Sequence, residues 1–413
     1  MVGPQAVEPG AGLAALTAAA ERLLHANWRT GRGRGGVGYA FTCPAPPRYR
    51  HMWHWDSCLH AIAWRLFDPA RARAELRTVL RSGRPDGFLP HTVFWDAPAG
   101  WRRAPLYATR GFVGDWRTET IGPPLLPFAW EIVADASADE PSFRAEALPA
   151  LGRHLDYLAH ERDPDGDGLL TIIVPDESGL DDSPKYEPVF GRMTHDRPGY
   201  WLLMERGRRA RWDARALIER YDHHVEDVWV NVAYALSLRA MARLSGEPRW
   251  HERAERVELA LLERSLDERS GLFFDLAGAA ERPVRVSTWA SLSPLLLDGL
   301  PERVRLRLVE EHLLDPRRYR AAVGIPSVSM QEPSFNPGFD RFRGWRGPSW
   351  MNTAWLLVPA LRSLGYEHDG DRIVRALAQA TARFGFREYY DPLSGRGLGA
   401  RGFGWSTLLL DLI

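Results

Sequence analysis

The chain is poor in cysteine, poor in lysine and without net charge, and each shortage excludes something. Cys43 and Cys58 are the only cysteines, and neither belongs to a C-x-x-C or a His/Cys cluster, so a zinc site is not expected. Lys185 is the only lysine, and arginine carries almost all the positive charge; genomic base composition explains that bias more simply than function does. Lys+Arg and Asp+Glu both total 53, so no field of either sign favours nucleic acid or an anionic membrane surface. No apolar run approaches the ~18 residues of a membrane span. The Ala-rich stretch Gly10–Ala20 lacks a preceding charged segment and runs straight into Glu21 and Arg22, so it is read as the start of a helix rather than a signal peptide. A cytoplasmic enzyme is the expectation.

What remains is a globular composition, 45% hydrophobic and 11% aromatic over 413 residues. Apolar residues recur at three- and four-residue spacing in about twelve blocks. They cover Leu13–Asn27, Asp56–Leu66, Pro69–Arg81, Pro123–Ala134, Ser142–Glu161, Val225–Leu244, Pro248–Leu266, Val286–Leu295, Pro301–Leu314, Ser349–Leu364, Asp369–Phe384 and Trp405–Leu412. Asp68-Pro69 and Gly246-Glu247-Pro248 are helix-boundary signals. Short strands are expected only at Leu169–Val174 and Leu272–Asp275. No 34- or 40-residue repeat supports an open solenoid. The expected fold is all-α and single-domain over residues 1–413: a closed α/α toroid of about twelve helices in two layers.

Four long segments lack helical period: Thr30–His54, Phe88–Thr120, Val174–Tyr221 and Pro326–Pro348. They are rich in aromatics, His, Arg, Asp and Gly, and long loops in a compact domain tend to be functional. Many of the 17 tryptophans lie in or beside them, among them Trp53, Trp55, Trp95, Trp101, Trp116, Trp345, Trp350 and Trp405. Flat C–H faces of sugars stack on aromatic rings, while hydroxyls need fixed polar partners. Each tryptophan alone is as well explained by core filling; the interleaving with polar residues points to carbohydrate.

Four segments carry candidate chemistry. His51–Ala61 places Asp56 at a helix start, a common capping position on its own, with Asp86–His91 downstream as a second polar group. Pro175–Pro184 crowds Asp176, Glu177, Asp181 and Asp182, and crowding or desolvation raises carboxyl pKa values as a general acid requires; in isolation it reads as a solvated acidic loop. Phe339–Asn352 brings Trp345, Arg346, Gly347 and Trp350 together before a helix. Phe386–Pro392 sets Glu388 among aromatics, where a lone glutamate would ordinarily be a surface ion-pair partner.

The ordered set W-x-W-D-S, D-G-x-x-P-H, E-S-G-x-D-x-S-P, W-R-G-P-x-W and F-x-E-Y resembles glycoside hydrolase family 63, and within it the short bacterial mannosylglycerate and glucosylglycerate hydrolases. The resemblance runs nearly end to end. It implies an (α/α)6 barrel and an inverting mechanism, with Asp181 as general acid and Glu388 as general base. It places Asp56 and Arg346 at the non-reducing sugar and Trp55, Trp345 and Trp405 along the pocket. The expected substrate-binding set also includes Tyr39, His91, Trp95, Gly347 and Trp350. The implied substrate is a small α-glucoside or α-mannoside, glucosylglycerate or mannosylglycerate first. Gly122 departs from the glutamine that the group carries before Pro-Pro. Residues 187–214 do not align; Arg192 or Arg208 there is a candidate for an aglycone carboxylate.

No metal or cofactor is expected, and the expected partner is a small carbohydrate, with homo-oligomer formation left open. Asp163-x-Asp165-x-Asp167-Gly168 begins like a calcium loop, but the twelfth position is Val174, so an EF-hand is not expected and turn-forming aspartates are the better reading. His223-His224-x-Glu226-Asp227 is expected to cap or pack at a helix start. A terpene cyclase would need a third aspartate and no proline after Asp181-Asp182. The competing reading is another α-linked oligosaccharide as substrate, or a carbohydrate-binding toroid without catalysis.

Overall fold

Six helical segments are buried around nearly their whole circumference and touch one another in a closed cycle. The computed structural model of the chain describes residues 9–97, 106–111, 115–137, 141–194, 197–338 and 344–413. The α-helices among the described residues are α1 (Pro9–Asn27), α2 (His54–Trp64), α3 (Pro69–Arg81), α4 (Leu126–Asp135), α5 (Pro141–Glu146), α6 (Leu148–Glu161) and α7 (Glu187–Phe190). They continue with α8 (Arg197–Arg209), α9 (Ala214–Arg220), α10 (Val228–Ser245), α11 (Pro248–Ala260), α12 (Glu302–Arg307), α13 (Met351–Ser363) and α14 (Glu367–Phe384). Two 3₁₀ helices, Trp289–Leu296 and Gly404–Asp411, complete the inner set.

The cycle runs α2, α4, α10, Trp289–Leu296, α13, Gly404–Asp411 and back to α2. Several inner segments have a partner outside them. α3 packs on α2, α6 and α11 on α10, α14 on α13, and α1 on Gly404–Asp411. Sequence explains the layering. Every residue of α2 is buried, whereas α14 buries only one stripe that includes Ile373, Val374, Leu377 and Thr381. A helix apolar all round belongs inside, and an amphipathic one covers it. Boundaries follow local chemistry: Asp68 caps α3 by accepting from the Arg71 N–H at 3.1 Å, and Gly246 ends α10 at φ 72° before Pro248 opens α11.

Several expected elements differ. Val174–Tyr221 is not free of helix: it holds α7, α8 and α9, whose arginine-rich period was obscured by aromatics. Ser142–Glu161 is two helices, broken at Ala147 before Pro149. Val286–Leu295 and Trp405–Leu412 become 3₁₀ helices, the first with Pro294 inside it. Val225–Glu226 is a strand, and Asp227 then caps α10. That strand lies in a four-stranded antiparallel sheet, in the order Arg282–Val284, Asp275–Ala277, Val225–Glu226, Thr171–Ile172. Thr30–His54 contains most of a hairpin, Trp28–Arg32 against Gly38–Thr42.

A buried ion pair joins these parts. Arg162, at the end of α6, donates twice to Glu177, at 2.6 and 2.9 Å, and both residues are about as buried as any in the chain. Removing one partner of such a pair strands a charge in low dielectric, at a cost of about 3–5 kcal/mol. Arg162→Met is therefore expected to lower unfolding free energy in urea by about that amount; a loss of under about 1 kcal/mol would show that the pair anchors nothing.

Candidate active site

A cavity of about 380 Å³ opens over the N-terminal ends of the inner helices. Trp55 and Asp56 lie in the first turn of α2, Trp350 caps α13, and Trp405 lies in the first turn of Gly404–Asp411; all four line the cavity.

One wall is the loop after the Thr171–Ile172 strand. A 3₁₀ turn, Pro175–Ser178, ends on Gly179 at φ 70°. A Cβ on Gly179 would come within 2.6 Å of the Trp55 indole, so the loop can rest on that ring only with glycine there. Glu177 faces inward, where besides Arg162 it accepts from the Ile121 and Ile173 N–H groups at 3.0 and 2.8 Å. Asp176 and Asp181 face the cavity. Just beyond, Lys185 is buried between Asp227 at 2.6 Å and Asp275 at 3.0 Å, and Tyr186 donates to Asp227 at 2.6 Å. The chain's one lysine thus ties this loop to the start of α10.

Asp181 is an exposed residue at the cavity rim, but desolvation of its carboxyl pushes it up to about 6; a backbone N–H opposes the rise, and the negative charge of Glu388 adds to it. Burial and then the charge of Asp181 push Asp176 up to about 8, opposed by the Tyr200 hydroxyl, which donates to its Oδ1. Asp56 is pushed up to about 7, chiefly by burial. Burial holds His91 down at about 4, so its ring is neutral at pH 7.

The opposite wall carries Glu388, on the strand Arg387–Tyr390 paired with Gly397–Arg401. The register shifts between Arg387 and Tyr389, and this bulge sits at Glu388. Its Oε2 accepts from the Ala400 N–H at 2.7 Å, its Oε1 accepts from the Tyr49 hydroxyl at 2.9 Å, and Arg48 lies 3.9 Å away. Burial raises its pKa, and those three groups oppose the rise. Gly399, at φ 61°, leaves the space: a Cβ there would stand 2.6 Å from that of Glu388. Aromatic rings form the floor. Trp345 and Trp350 stack at 3.9 Å and 3°, and Trp405 meets Trp55 edge-on at 5.0 Å.

Of the residues singled out from sequence, Trp55, Asp56, His91, Asp181, Trp345, Trp350, Glu388 and Trp405 come together at this cavity. Tyr39, Trp95, Arg346 and Gly347 do not line it. Tyr39 stacks on Trp95 at 5.7 Å, and the Trp95 indole N–H donates to the Met52 sulfur, so both rings pack with the Trp28–Thr42 hairpin. Arg346 is turned to an ion pair with Glu187, and the Gly347 N–H donates to Ser327 at 2.9 Å. Arg208 spends its donors on the Tyr107 and Thr109 carbonyls and Glu205. A Cβ on Gly122 would press on His54 at 3.2 Å and His91 at 3.4 Å, which fits the missing glutamine. Trp101 and the side chain of Arg192 lie outside the described residues. Sequence reading missed Arg48, Tyr49 and Tyr200; Tyr49 stands two residues before the His51 segment, the only signal it gave.

Residues 49–406 match the family model of the mannosylglycerate hydrolase MGH1-like glycoside hydrolase domain. The chain belongs to this family. It is a glycoside hydrolase, and every residue lining the cavity except Pro44 and Arg48 falls inside the matched span. Among its relatives, the mannosylglycerate hydrolase of Thermus thermophilus is 31% identical, covering 90% of this chain and 95% of that one. The glucosylglycerate hydrolase of Mycolicibacterium hassiacum is 28% identical, covering 91% and 94%. A crystal structure of GH63 mannosylglycerate hydrolase from Thermus thermophilus, in complex with Tris and D-glycerate, superposes with a TM-score of 0.83 at 29% identity, covering 96% and 99%. No helix among the described residues is long and apolar enough to cross a membrane.

The raised carboxyls give this glycosidase a pH-dependent stability. With Asp176 near 8 in the fold and ~3.9 in the unfolded chain, the native state holds a proton that the unfolded state has released. Stability therefore falls as pH rises through that window. Thermal melts from pH 5 to 9 are expected to decline for the wild type and to decline less for Asp176→Asn; equal slopes would contradict the assignment.

Proposed function

We propose that the chain hydrolyses a small α-glucoside or α-mannoside with inversion, glucosylglycerate or mannosylglycerate first, and that its helices form one closed (α/α)6 toroid over the whole length. The cycle of inner-helix contacts supports the toroid. The unequal surroundings of two carboxyls on one cavity support the mechanism. Asp181 faces the cavity with its carboxyl pushed up to about 6, near a charge of its own sign; Glu388 is buried and held by Tyr49, Arg48 and the Ala400 N–H.

In this reading Asp181 keeps its proton and delivers it to the glycosidic oxygen as the C–O bond breaks. Glu388 is ionised and removes a proton from a water attacking the opposite face of the ring, which inverts the anomeric carbon. Inverting enzymes hold the two carboxyls roughly 6.5–9.5 Å apart to admit that water. The tryptophan floor stacks the sugar face, and Asp56, in the first turn of α2, accepts from or donates to its hydroxyls. Asp176 and Tyr200 neighbour Asp181 and so belong to the leaving-group side. The names of the relatives and the glycerate in the solved neighbour support a glycerate leaving group.

Asp181→Asn and Glu388→Gln are each expected to lower kcat by about 10²–10⁴-fold on mannosylglycerate or glucosylglycerate while leaving the fold intact by circular dichroism. Proton NMR of early product should show the β-anomer first. Full activity in both variants, or an α-anomer, would end this reading. The pH profile of kcat/KM should be a bell. It falls on the alkaline side as pH passes about 6 and Asp181 ionises, and on the acid side as Glu388 takes up a proton. A profile flat from pH 4 to 9 would contradict it.

A further inference from the structure

Four carboxylates from three separate segments meet away from the catalytic cavity. Asp165 and Asp167 come from the turn after α6, Glu226 from the strand Val225–Glu226, and Glu281 from the turn before Arg282–Val284. Each offers one oxygen, and the four oxygens lie within 4.8 Å of one another. None of the four residues lines the catalytic cavity.

Glu226 makes this more than a cluster of acids. It is only 7% exposed, and its Oε2 has no hydrogen-bond partner among the described residues. A carboxylate buried without a partner is costly, and native structures normally satisfy it. The Asp167 Oδ2, by contrast, meets an arginine. The nearest cation is Arg264, whose Nε stands 2.9 Å from Asp167 Oδ2 and whose terminal nitrogen pairs with Glu281. One guanidinium faces four carboxylates there, and it makes no ion pair with Glu226 among the described residues.

The sequence motif explains half of the arrangement. Asp163 accepts from the Gly166 and Gly168 N–H groups at 2.8 and 3.1 Å, so it shapes the turn and stays out of the cluster. Asp165 and Asp167 then project from a shaped turn. An EF-hand would supply its last acid at position twelve, which here is Val174. The fold brings Glu226 and Glu281 to the same place from elsewhere in the chain.

We propose that Asp165, Asp167, Glu226 and Glu281 bind one divalent cation, Ca²⁺ in preference to Mg²⁺. All four donors are hard carboxylate oxygens, with no histidine or thiolate to favour zinc or copper. Ca²⁺–O distances of about 2.3–2.6 Å and irregular geometry suit ligands drawn from three segments, whereas Mg²⁺ demands a near-ideal octahedron at about 2.0–2.1 Å. Binding displaces the Arg264 head outward, where its side chain is already partly exposed. The ion ties the Asp165–Asp167 turn to the sheet whose edge strand, Thr171–Ile172, leads into the loop of Asp176 and Asp181. Its role is to stiffen that loop.

The test uses the full chain stripped with EDTA, titrated with CaCl₂ and separately MgCl₂ by calorimetry, with thermal melts alongside. One Ca²⁺ per chain is expected, with a rise in Tm of a few degrees that Mg²⁺ reproduces only weakly. Glu226→Gln is expected to weaken Ca²⁺ binding by about tenfold or more and to lose the Ca²⁺-dependent rise in Tm. Asp165→Asn, at an exposed position, gives the same readout should the buried variant fail to fold. No binding at millimolar Ca²⁺, or unchanged affinity in Asp165→Asn, overturns the proposal. So does a melt indifferent to Ca²⁺ together with a large loss of Tm in Arg264→Ala, because Arg264 would then be the cluster's sole cation.

Discussion

The candidate active site hangs on one buried carboxylate. Glu177 occupies both of its oxygens with the two terminal nitrogens of Arg162 and the backbone N–H groups of Ile121 and Ile173. Those four donors come from the end of α6, the segment before α4, and the strand leading into the acid loop. Low dielectric makes each of these bonds strong and makes partial satisfaction expensive. The neighbouring residue, Asp176, is thereby turned to the cavity, and Gly179 lets the loop settle against Trp55. Stability and chemistry meet here: the bonds that fasten the loop also aim its acids.

Around that anchor the protein treats two carboxyls in opposite ways. Asp181 stands among other acids, and desolvation of its carboxyl raises its pKa against a single backbone N–H. Glu388 is the more buried of the two and receives a hydroxyl, an amide and a nearby guanidinium. Two carboxyls on one cavity are therefore shifted by different balances of desolvation and partners. The tryptophan rings that line the cavity limit water beside both carboxyls, and a drier cavity sharpens both shifts.

Much of this was legible from particular residues. Complete burial of α2 and the single stripe of α14 are readable as apolar periodicity, so the helical fold class and its two layers follow from pattern alone. Trp55, Asp56, Asp181, Trp345, Trp350, Glu388 and Trp405 stand in motifs whose residue types already suggest sugar chemistry. Tyr39, Trp95, Arg346 and Gly347 stand in the same motif-bearing or aromatic segments and yet turn away from the cavity. The motif names a residue; its rotamer and neighbours decide which way it faces. Arg346 spends its charge on Glu187, a residue in a stretch the motifs do not reach.

Sequence by itself determined most of the helices and which of them are buried, because those rest on spacing along the chain, and its ordered motifs carried the resemblance to the family and to sugar chemistry. Tertiary structure alone decided that Tyr49 would hold Glu388, 339 positions away, and that Tyr200 of α8 would reach Asp176. It alone carried Glu226 and Glu281 to the turn of Asp165 and Asp167. The physical reason is common to all three. A carboxyl's pKa and partners depend on through-space distance and on exclusion of water, and both are set only when the packed helices bring remote loops together.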